Sequence, residues 1–269
     1  MRLLFAGSEP KKYRDILLAA GAQNGLESFW SLAQKVPPAQ EEWDGLYLLD
    51  SGGYSARVRG VEIDVKHYAA YLNKYKVKFA FNLDPPDNND SLHNLYYLQE
   101  NTNTYIIPIY HSPEYTDPQW RGILDYYVEN YPFIALGGIA GREVNRDVTG
   151  KFLNYVFKRT RDKTAVHGLG TTRKELLQKY PFYCVDSTSW MQPMRFGGSV
   201  THSKDMARVR AKMNHYAHNV VDDINWWLKL EKDITKLWLK RGIDWSDIDY
   251  EYCMKNRTLK KWEDEPPTK

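Results

Sequence analysis

Three aspartates follow short apolar runs of the sequence and have the residue type needed for covalent or acid–base chemistry. Asp50, Asp84 and Asp186 each come at or just after the end of such a run. Two carboxylates beside a glycosidic carbon can act together, one attacking the anomeric centre and the other moving the proton of the leaving group. A third can accept paired N–H donors, such as N1–H and the 2-amino group of guanine. The plainer interpretation of each aspartate alone is a cap on the helix that follows a strand.

Glycines and aromatic residues accompany the aspartates and indicate a pocket for a flat ligand. The segments are Asp50-Ser-Gly-Gly-Tyr54, Gly137-Gly138-Ile-Ala-Gly141, His167-Gly-Leu-Gly170 and Val185-Asp-Ser-Thr-Ser-Trp190. Glycine lets the backbone approach a ligand closely, and the rings of Tyr54 and Trp190 are expected to flank that ligand. A competing interpretation is that the two glycine-rich segments cradle a phosphate of a small metabolite.

Seven short apolar runs alternate with segments of helical length. The runs are Arg2–Ala6, Leu46–Leu49, Phe79–Leu83, Tyr105–Ile109, Phe133–Leu136, Thr164–His167 and Phe182–Val185. Such runs are typical of buried parallel strands, and their alternation with helices predicts an α/β fold. With an eighth strand expected near Met194–Val200, the pattern predicts a (β/α)8 TIM barrel, and an open doubly wound sheet is the alternative. In both folds the carboxyl ends of the strands form one rim, so the aspartates should meet there.

The chain is expected to have two parts, a TIM-barrel catalytic domain over residues 1–203 and a helical extension over residues 204–269 that packs on the barrel. An apolar stripe predicts the main helix of the extension, with members Val220, Ile224, Trp227, Leu230, Ile234 and Leu237. Gly242 should end this helix, and the residues from Trp262 onward are expected to form a frayed tail.

Composition excludes several classes of protein. The 269 residues carry a net charge of +3, with 42% hydrophobic and 26% charged residues, so disordered, collagen-like and coiled-coil chains are excluded. Cys184 and Cys253 are the only cysteines, too few for a disulfide framework or a four-cysteine zinc site. No apolar stretch approaches the length of a membrane span, and we expect a cytoplasmic protein.

Positive charge is concentrated in one window. Residues 142–212 carry fifteen basic and six acidic side chains, a net charge of +9. A basic stretch can bind polynucleotide phosphates, although a solvated surface without a partner is the plainer interpretation. The residues predicted to contact a nucleic-acid backbone are Arg142, Arg146, Arg173, Arg195, Lys204 and Arg208.

The order of these motifs resembles that of the tRNA-guanine transglycosylase superfamily, TIM-barrel enzymes that replace guanine with a 7-deazaguanine. The resemblance covers roughly residues 45–200. It implies that Asp186 is the nucleophile and that Asp50 is the second catalytic aspartate, which handles protons. It also implies a set of base-binding residues, with His111 near a family glutamine. This set is Asp84, Tyr54, Gly137, Gly138, His111, Leu169 and Ser51.

One difference from the tRNA enzymes of this superfamily favours DNA over tRNA as the expected substrate. The tRNA enzymes have a zinc site of three cysteines and a histidine after the barrel, whereas Cys253 stands alone beyond residue 200. With this difference and its compact length, the chain looks more like the phage-type transglycosylases that act on DNA. The expected partners are DNA, with tRNA as the alternative, and a 7-deazaguanine base such as 7-cyano-7-deazaguanine. No metal or cofactor is expected, and a non-catalytic nucleic-acid binder is disfavoured because Asp50 and Asp186 are both present.

Overall fold

A computed structural model describes residues 1–85, 88–140, 146–160, 163–191 and 216–262. Within these residues nine strands form one sheet, and every pairing between neighbouring strands is parallel. The strands are β1 (Arg2–Ala6), β2 (Gly25–Ser28), β3 (Tyr47–Asp50), β4 (Phe79–Phe81), β5 (Tyr105–Ile107), β6 (Ile109–His111), β7 (Phe133–Gly137), β8 (Ala165–Gly168) and β9 (Cys184–Ser187).

The sheet closes into a barrel at Pro108. Its strand order is β5-β4-β3-β2-β1-β9-β8-β7-β6, so its two ends are consecutive pieces of one chain segment. Proline has no N–H to donate, which divides this segment into β5 and β6. On one side the Ile107 carbonyl accepts from the Asn82 N–H at 3.0 Å, and on the other the Pro108 carbonyl accepts from the Ala135 N–H at 2.9 Å. The fold is therefore a TIM barrel of eight strand positions, as predicted, and the open-sheet alternative is wrong.

The strand that completes the eight is β2, which sequence reasoning missed. Its four residues, Gly-Leu-Glu-Ser, contain one large apolar side chain, and Glu27 at its centre is fully buried. Gly25 has a packing reason, since a Cβ atom there would lie 2.2 Å from the Trp43 ring. The predicted strand near Met194–Val200 lies outside the described residues.

Helices follow most of the strands and cover the outside of the barrel. They are α1 (Lys11–Ala19), α2 (Gly53–Val58), α3 (Val65–Lys74), α4 (Asn88–Asn101), α5 (Ser112–Thr116), α6 (Ile123–Asn130), α7 (Arg146–Thr160), α8 (Lys174–Lys179), α9 (Tyr216–Lys240) and α10 (Tyr250–Asn256), with short 3-10 turns at Gln40–Glu42 and Ser189–Met191. In α3 the Asp64 side chain caps the helix by accepting from the Lys66 N–H at 2.8 Å.

The long helix α9 packs against β1, α8 and the 3-10 turn that follows β9. Five members of its predicted stripe are buried and Leu237 is partly buried, as the pattern predicted. The Glu231 carboxylate accepts from the Leu3 N–H at 3.2 Å, and Trp238 donates to the Leu177 carbonyl at 2.8 Å. Gly242, at φ +80, follows the end of the helix as expected.

The segment after α10 runs back along the barrel. Arg257 donates to the Thr104 carbonyl at 3.2 Å, next to the start of β5. Trp262 packs against Trp120 and its N–H donates to the Tyr96 hydroxyl at 2.8 Å, so the tail does not begin at Trp262 as predicted. Residues 263–269 lie outside the described part. Among the described helices, none has the length and apolarity to cross a membrane.

Candidate active site

The three aspartates lie at the carboxyl-end rim of the barrel, as the sequence predicted. Asp50 is the last residue of β3, Asp84 comes shortly after β4, and Asp186 lies within β9. The parallel register places Leu4 of β1 beside Asp186 and Ser28 of β2 beside Asp50. Two strands, β1 and β2, therefore lie between the strands that carry the two aspartates. Parallel strands carry these side chains to one mouth because all of them run in the same direction.

Asp186 is buried and its Oδ1 oxygen accepts two N–H donors. The Gly170 backbone N–H lies 2.7 Å from Oδ1, and His167 Nε2 lies 3.1 Å from the same atom. Gly170 has φ +63, a left-handed conformation that glycine adopts without strain and that directs its N–H at the carboxylate. Among the described residues no hydrogen-bond donor reaches the Oδ2 oxygen of Asp186, so this is the oxygen available to a substrate.

Asp50 is held in its neutral form to a higher pH than an ordinary aspartate. Some of its surface is exposed, but protein atoms surround its carboxyl group, and this burial raises the pKa of Asp50 to about 7. The negative charges of Asp186 and Glu9 act in the same direction, while N–H groups of Gly52 and Ser51 partly offset them. Two nearby carboxylates with different environments are the arrangement that separates an acid from a nucleophile.

The backbone at Gly52 requires glycine. It has φ +74, and a Cβ atom there would lie 2.4 Å from Trp30 Cβ and 2.5 Å from Ser28 Oγ. The motif Asp50-Ser-Gly-Gly-Tyr54 therefore serves the turn that brings N–H groups to Asp50. Ser51 is buried beside it, and its Oγ accepts weakly from the Gly53 N–H at 3.4 Å.

Asp84 forms a second aspartate–histidine pair, with His111. His111 Nε2 contacts Asp84 Oδ2 directly, and Ser91 Oγ donates to Asp84 Oδ1 at 2.6 Å. Burial alone would lower the pKa of His111, but the hydrogen bond and charge of Asp84, with Glu114, raise it above its usual value. Gly137 makes room for this ring, because a Cβ atom there would lie 2.2 Å from His111 Nδ1.

Glu114 stands behind His111 and is a titratable group that sequence reasoning missed. Its Oε2 oxygen accepts from the His111 N–H at 2.6 Å at the start of α5. Burial raises the pKa of Glu114 to about 7, although the nearby His111 works against this. The Glu114 carboxyl is thus coupled to the Asp84–His111 pair.

Several predicted base-binding residues lie at the mouth without a defined ligand contact. Tyr54 is the second residue of α2 and is 73% exposed, with the Arg57 guanidinium 5.7 Å from its ring centroid. Leu169 is partly buried between β8 and Gly170, where it can border a ligand. Gly138 has φ +71 and approaches the start of α5, since a Cβ atom there would lie 3.2 Å from Ser112 Cβ.

Trp190 does not flank the site as the sequence predicted. It is 1% exposed, its Nε1 donates to the Ala6 carbonyl at 2.9 Å, and its ring packs edge-on against Phe5 and Tyr13. The ring is therefore a core residue that anchors the end of β9 to β1. Its position after Asp186 in the sequence made it look like a site residue.

Of the predicted phosphate-contacting residues, Arg173 has a described side chain. It precedes α8 and donates to the Ile139 carbonyl at 3.2 Å, close to the loop after β7. Arg142, Arg195, Lys204 and Arg208, and the side chain of Arg146, lie outside the described part of the structure.

A cavity of about 800 Å³ opens beside Asp84, between α2 and the start of α4. Its lining combines Leu83 and Val61 with the polar side chains of Arg57 and His93. A volume of this size is typical of sites for small organic ligands. Among the described residues, no group of three histidine, cysteine or acidic side chains is arranged to hold a metal ion.

No protein-family model and no curated protein matches the chain. The superfamily resemblance therefore rests on the motifs. What the fold and the site establish is a TIM barrel with three aspartates and two partner histidines at the carboxyl-end rim.

Proposed function

We propose that this protein is a base-exchange transglycosylase that replaces guanine in DNA with a 7-deazaguanine derivative through a covalent aspartyl-glycosyl intermediate. The observation that carries this proposal is the unequal pair at the rim, Asp186 with two N–H donors and Asp50 with a pKa of about 7. Such a pair supplies a nucleophile and a proton donor to one glycosidic carbon.

In the first half-reaction Asp186 Oδ2 attacks C1′ of the target nucleotide and the bond from C1′ to guanine N9 breaks. The departing guanine takes a proton from Asp50, which is left as a carboxylate. The deoxyribose is now joined to Asp186 as an acylal-type ester, and the polynucleotide chain is intact. Asp50 suits this step because a group with a pKa near the working pH is an effective general acid.

In the second half-reaction the incoming 7-deazaguanine attacks C1′ through N9 and gives its N9 proton to Asp50. The bond between C1′ and Asp186 breaks, so both carboxyl groups return to their starting states. Two inversions at C1′ give net retention of configuration.

Recognition of the base falls to Asp84. Each oxygen of its carboxylate already accepts one partner, Ser91 at Oδ1 and His111 at Oδ2. A carboxylate oxygen can accept two hydrogen bonds, so both oxygens retain capacity for N1–H and the 2-amino group of guanine. Adenine lacks this donor pair and would leave the buried site unsatisfied.

A base inside a duplex cannot reach the rim, so the target nucleotide must be flipped out at a cost of about a few kcal/mol. Phosphate contacts offset that cost but carry no sequence information and do not distinguish DNA from RNA. The choice of DNA is supported by Cys253, the single cysteine among residues 201–269, where the tRNA enzymes have a zinc site of three cysteines and a histidine.

The test is exchange of radiolabelled guanine, or of 7-cyano-7-deazaguanine, into a DNA duplex and into unmodified tRNA at one fixed salt concentration. We expect exchange into DNA and an adduct of protein and DNA that survives denaturation. Asp186→Asn should abolish both, a loss of about 10⁴-fold or more. Asp44→Asn is the matched control, because Asp44 is exposed and precedes the same strand that ends in Asp50. An adduct that persists in Asp186→Asn would contradict the assignment, and exchange into tRNA alone would contradict the choice of DNA.

A further inference from the structure

Three buried side chains form a continuous hydrogen-bonded chain behind the nucleophile. Cys184 Sγ lies 3.0 Å from His167 Nδ1, and His167 Nε2 lies 3.1 Å from Asp186 Oδ1. Cys184 and His167 are fully buried and Asp186 is 8% exposed. Cys184 and Asp186 are two residues apart on β9, so their side chains lie on one face of the sheet, and His167 of β8, which pairs with Cys184, lies on the same face.

The three side chains are hydrogen-bonded one after another and are not arranged to bind one metal ion together. The two ring nitrogens of His167 lie on opposite edges of the imidazole, so its partners lie on opposite sides of the ring. A single ion could not bind Cys184 and Asp186 while also binding this ring. The ring itself is fixed by packing against Phe81, with a distance of 5.0 Å between the ring centroids.

The protonation of the Cys184 thiol decides which ring nitrogen of His167 accepts a hydrogen bond and which one donates. Burial raises the pKa of Cys184 well above its usual range, so the sulfur keeps its proton. The thiol then donates to His167 Nδ1, which leaves the proton of a neutral imidazole on Nε2. Nε2–H points at Asp186 Oδ1, beside the Gly170 N–H on the same oxygen.

We propose that His167 is a positioning residue for Asp186, and that Cys184 sets the tautomer in which His167 does this. With Oδ1 held by Nε2–H and by the Gly170 N–H, rotation of the carboxylate is restrained, and Oδ2 is left as the oxygen available to a substrate. The inference rests on the proposed role of Asp186 as the nucleophile. It adds two residues, His167 and Cys184, to which the motif comparison gave no role.

Two variants of His167 separate the hydrogen bond from simple packing. His167→Gln keeps an N–H donor near the position of Nε2, whereas His167→Leu fills similar space without one. We expect the rate of adduct formation in a single turnover to fall by about 100-fold in His167→Leu and by about 10-fold or less in His167→Gln. Affinity for the DNA duplex should be the same in both, because neither change reaches the phosphates. Equal rates in the two variants, or a wild-type rate in His167→Leu, would overturn the proposal.

A second measurement does not depend on activity and keeps the proposal testable if His167→Leu does not fold. Nitrogen-15 NMR of the histidine rings reports the tautomer, and the signal missing from the His167→Gln spectrum identifies His167. We expect the Nε2–H tautomer in the wild-type protein and in Cys184→Ser, which keeps a donor. Cys184→Ala should show a mixture of tautomers and a lower rate of adduct formation. An Nδ1–H tautomer in the wild-type protein would overturn the proposed positioning.

The two measurements distinguish this inference from the proposed function. If the wild-type protein forms no adduct with DNA or tRNA, base exchange fails, whatever the NMR spectrum shows. If the adduct forms but His167 carries its proton on Nδ1, base exchange stands and the positioning role fails.

Discussion

Glu27 is fully buried and Asp50 is partly buried, and these two acids lie on neighbouring strands in different surroundings. Glu27 Oε2 accepts from the Tyr47 hydroxyl and from the Ala39 N–H, each at 2.8 Å, and the Arg14 guanidinium lies 3.3 Å from Oε1. Burial raises the pKa of Glu27, and these three partners partly offset the rise. Around Asp50 the strongest charges are those of Asp186 and Glu9, which increase the effect of burial.

The difference is the one expected between an acid that stabilises the fold and an acid that transfers protons, which is the role proposed for Asp50. A buried carboxylate with a cation and N–H donors joins elements of the fold, here α1, β2 and the segment before β3. Buried carboxylates placed close to one another are costly, and a fold retains them where their protonation states are used. Arg14 also forms a two-point ion pair with Glu42, through two hydrogen bonds of 2.8 Å, which completes the structural cluster.

The strongest test of this contrast is Asp50→Asn. The amide cannot donate the proton that the departing guanine needs, so we expect exchange to fall by about 100- to 10,000-fold. In the wild-type protein the first half-reaction should slow as the pH rises through about 7, because Asp50 loses its proton there. This dependence should be absent from the residual rate of Asp50→Asn. A variant that keeps the wild-type rate and pH profile would remove Asp50 from proton transfer.

Asp50→Asn, which should lower the exchange rate, should raise the free energy of unfolding. The folded-state pKa of Asp50 lies above its unfolded value, so the folded protein holds more protons between about pH 4 and 7 and loses stability as the pH rises through that window. Asp50→Asn should therefore be more stable than the wild-type protein at pH 8, by roughly 4 kcal/mol at most, because Asp50 keeps some solvent exposure. The difference should vanish near pH 4. Urea unfolding at the two pH values measures it, and equal stability at pH 8 would contradict the uncompensated burial of Asp50.

Asp84 lies between the two cases, since it has a histidine partner but also faces the cavity. Asp84→Ala should lower guanine exchange by about 100-fold, because the carboxylate proposed to accept the N–H donors of the base is lost. Adenine should not exchange in either protein. Parallel assays with guanine- and adenine-containing duplexes measure the effect, with Asp44→Asn as control. An equal change for the two bases would contradict the recognition role.

On the structural side of the contrast, Glu27→Gln should affect folding and not chemistry. We expect the free energy of unfolding to fall by about 1–3 kcal/mol, because Arg14 loses one of its two carboxylate partners. The exchange rate of the folded protein should stay within about 2-fold, since Glu27 does not reach the rim. Glu41→Gln is the control, being exposed and close in sequence to Glu42. A loss of activity with unchanged stability would place Glu27 in the site.

The smallest effect is expected from metal removal. The chain has two cysteines, and both are buried. The Cys184 thiol is already hydrogen-bonded to His167 Nδ1. Dialysis against a chelator should therefore change neither the exchange rate nor the thermal unfolding midpoint. Elemental analysis of the purified protein checks the same point, and stoichiometric zinc would contradict it.

Local sequence patterns were enough to predict the barrel and to place the three aspartates at its carboxyl-end rim. Buried parallel strands are continuous apolar runs, so seven strands could be recognised, and a side chain at a strand end must lie at a rim. Asp50, Asp84 and Asp186 were placed correctly for this reason. The stripe of α9 was predicted for the same kind of reason, because helical periodicity shows which face is buried.

The remaining features depend on partners that are distant in the chain. β2 does not look like a strand because Glu27 is at its centre, and its burial is possible through Arg14, Ala39 and Tyr47. The raised pKa of Asp50 comes first from burial of its carboxyl group and then from the negative charge of Asp186, more than a hundred residues away. The Cys184–His167–Asp186 chain needs the register of β8 against β9, which only the folded sheet supplies. Periodicity reports which face of an element is apolar, whereas burial of charge and hydrogen-bond partners arise where separate elements meet.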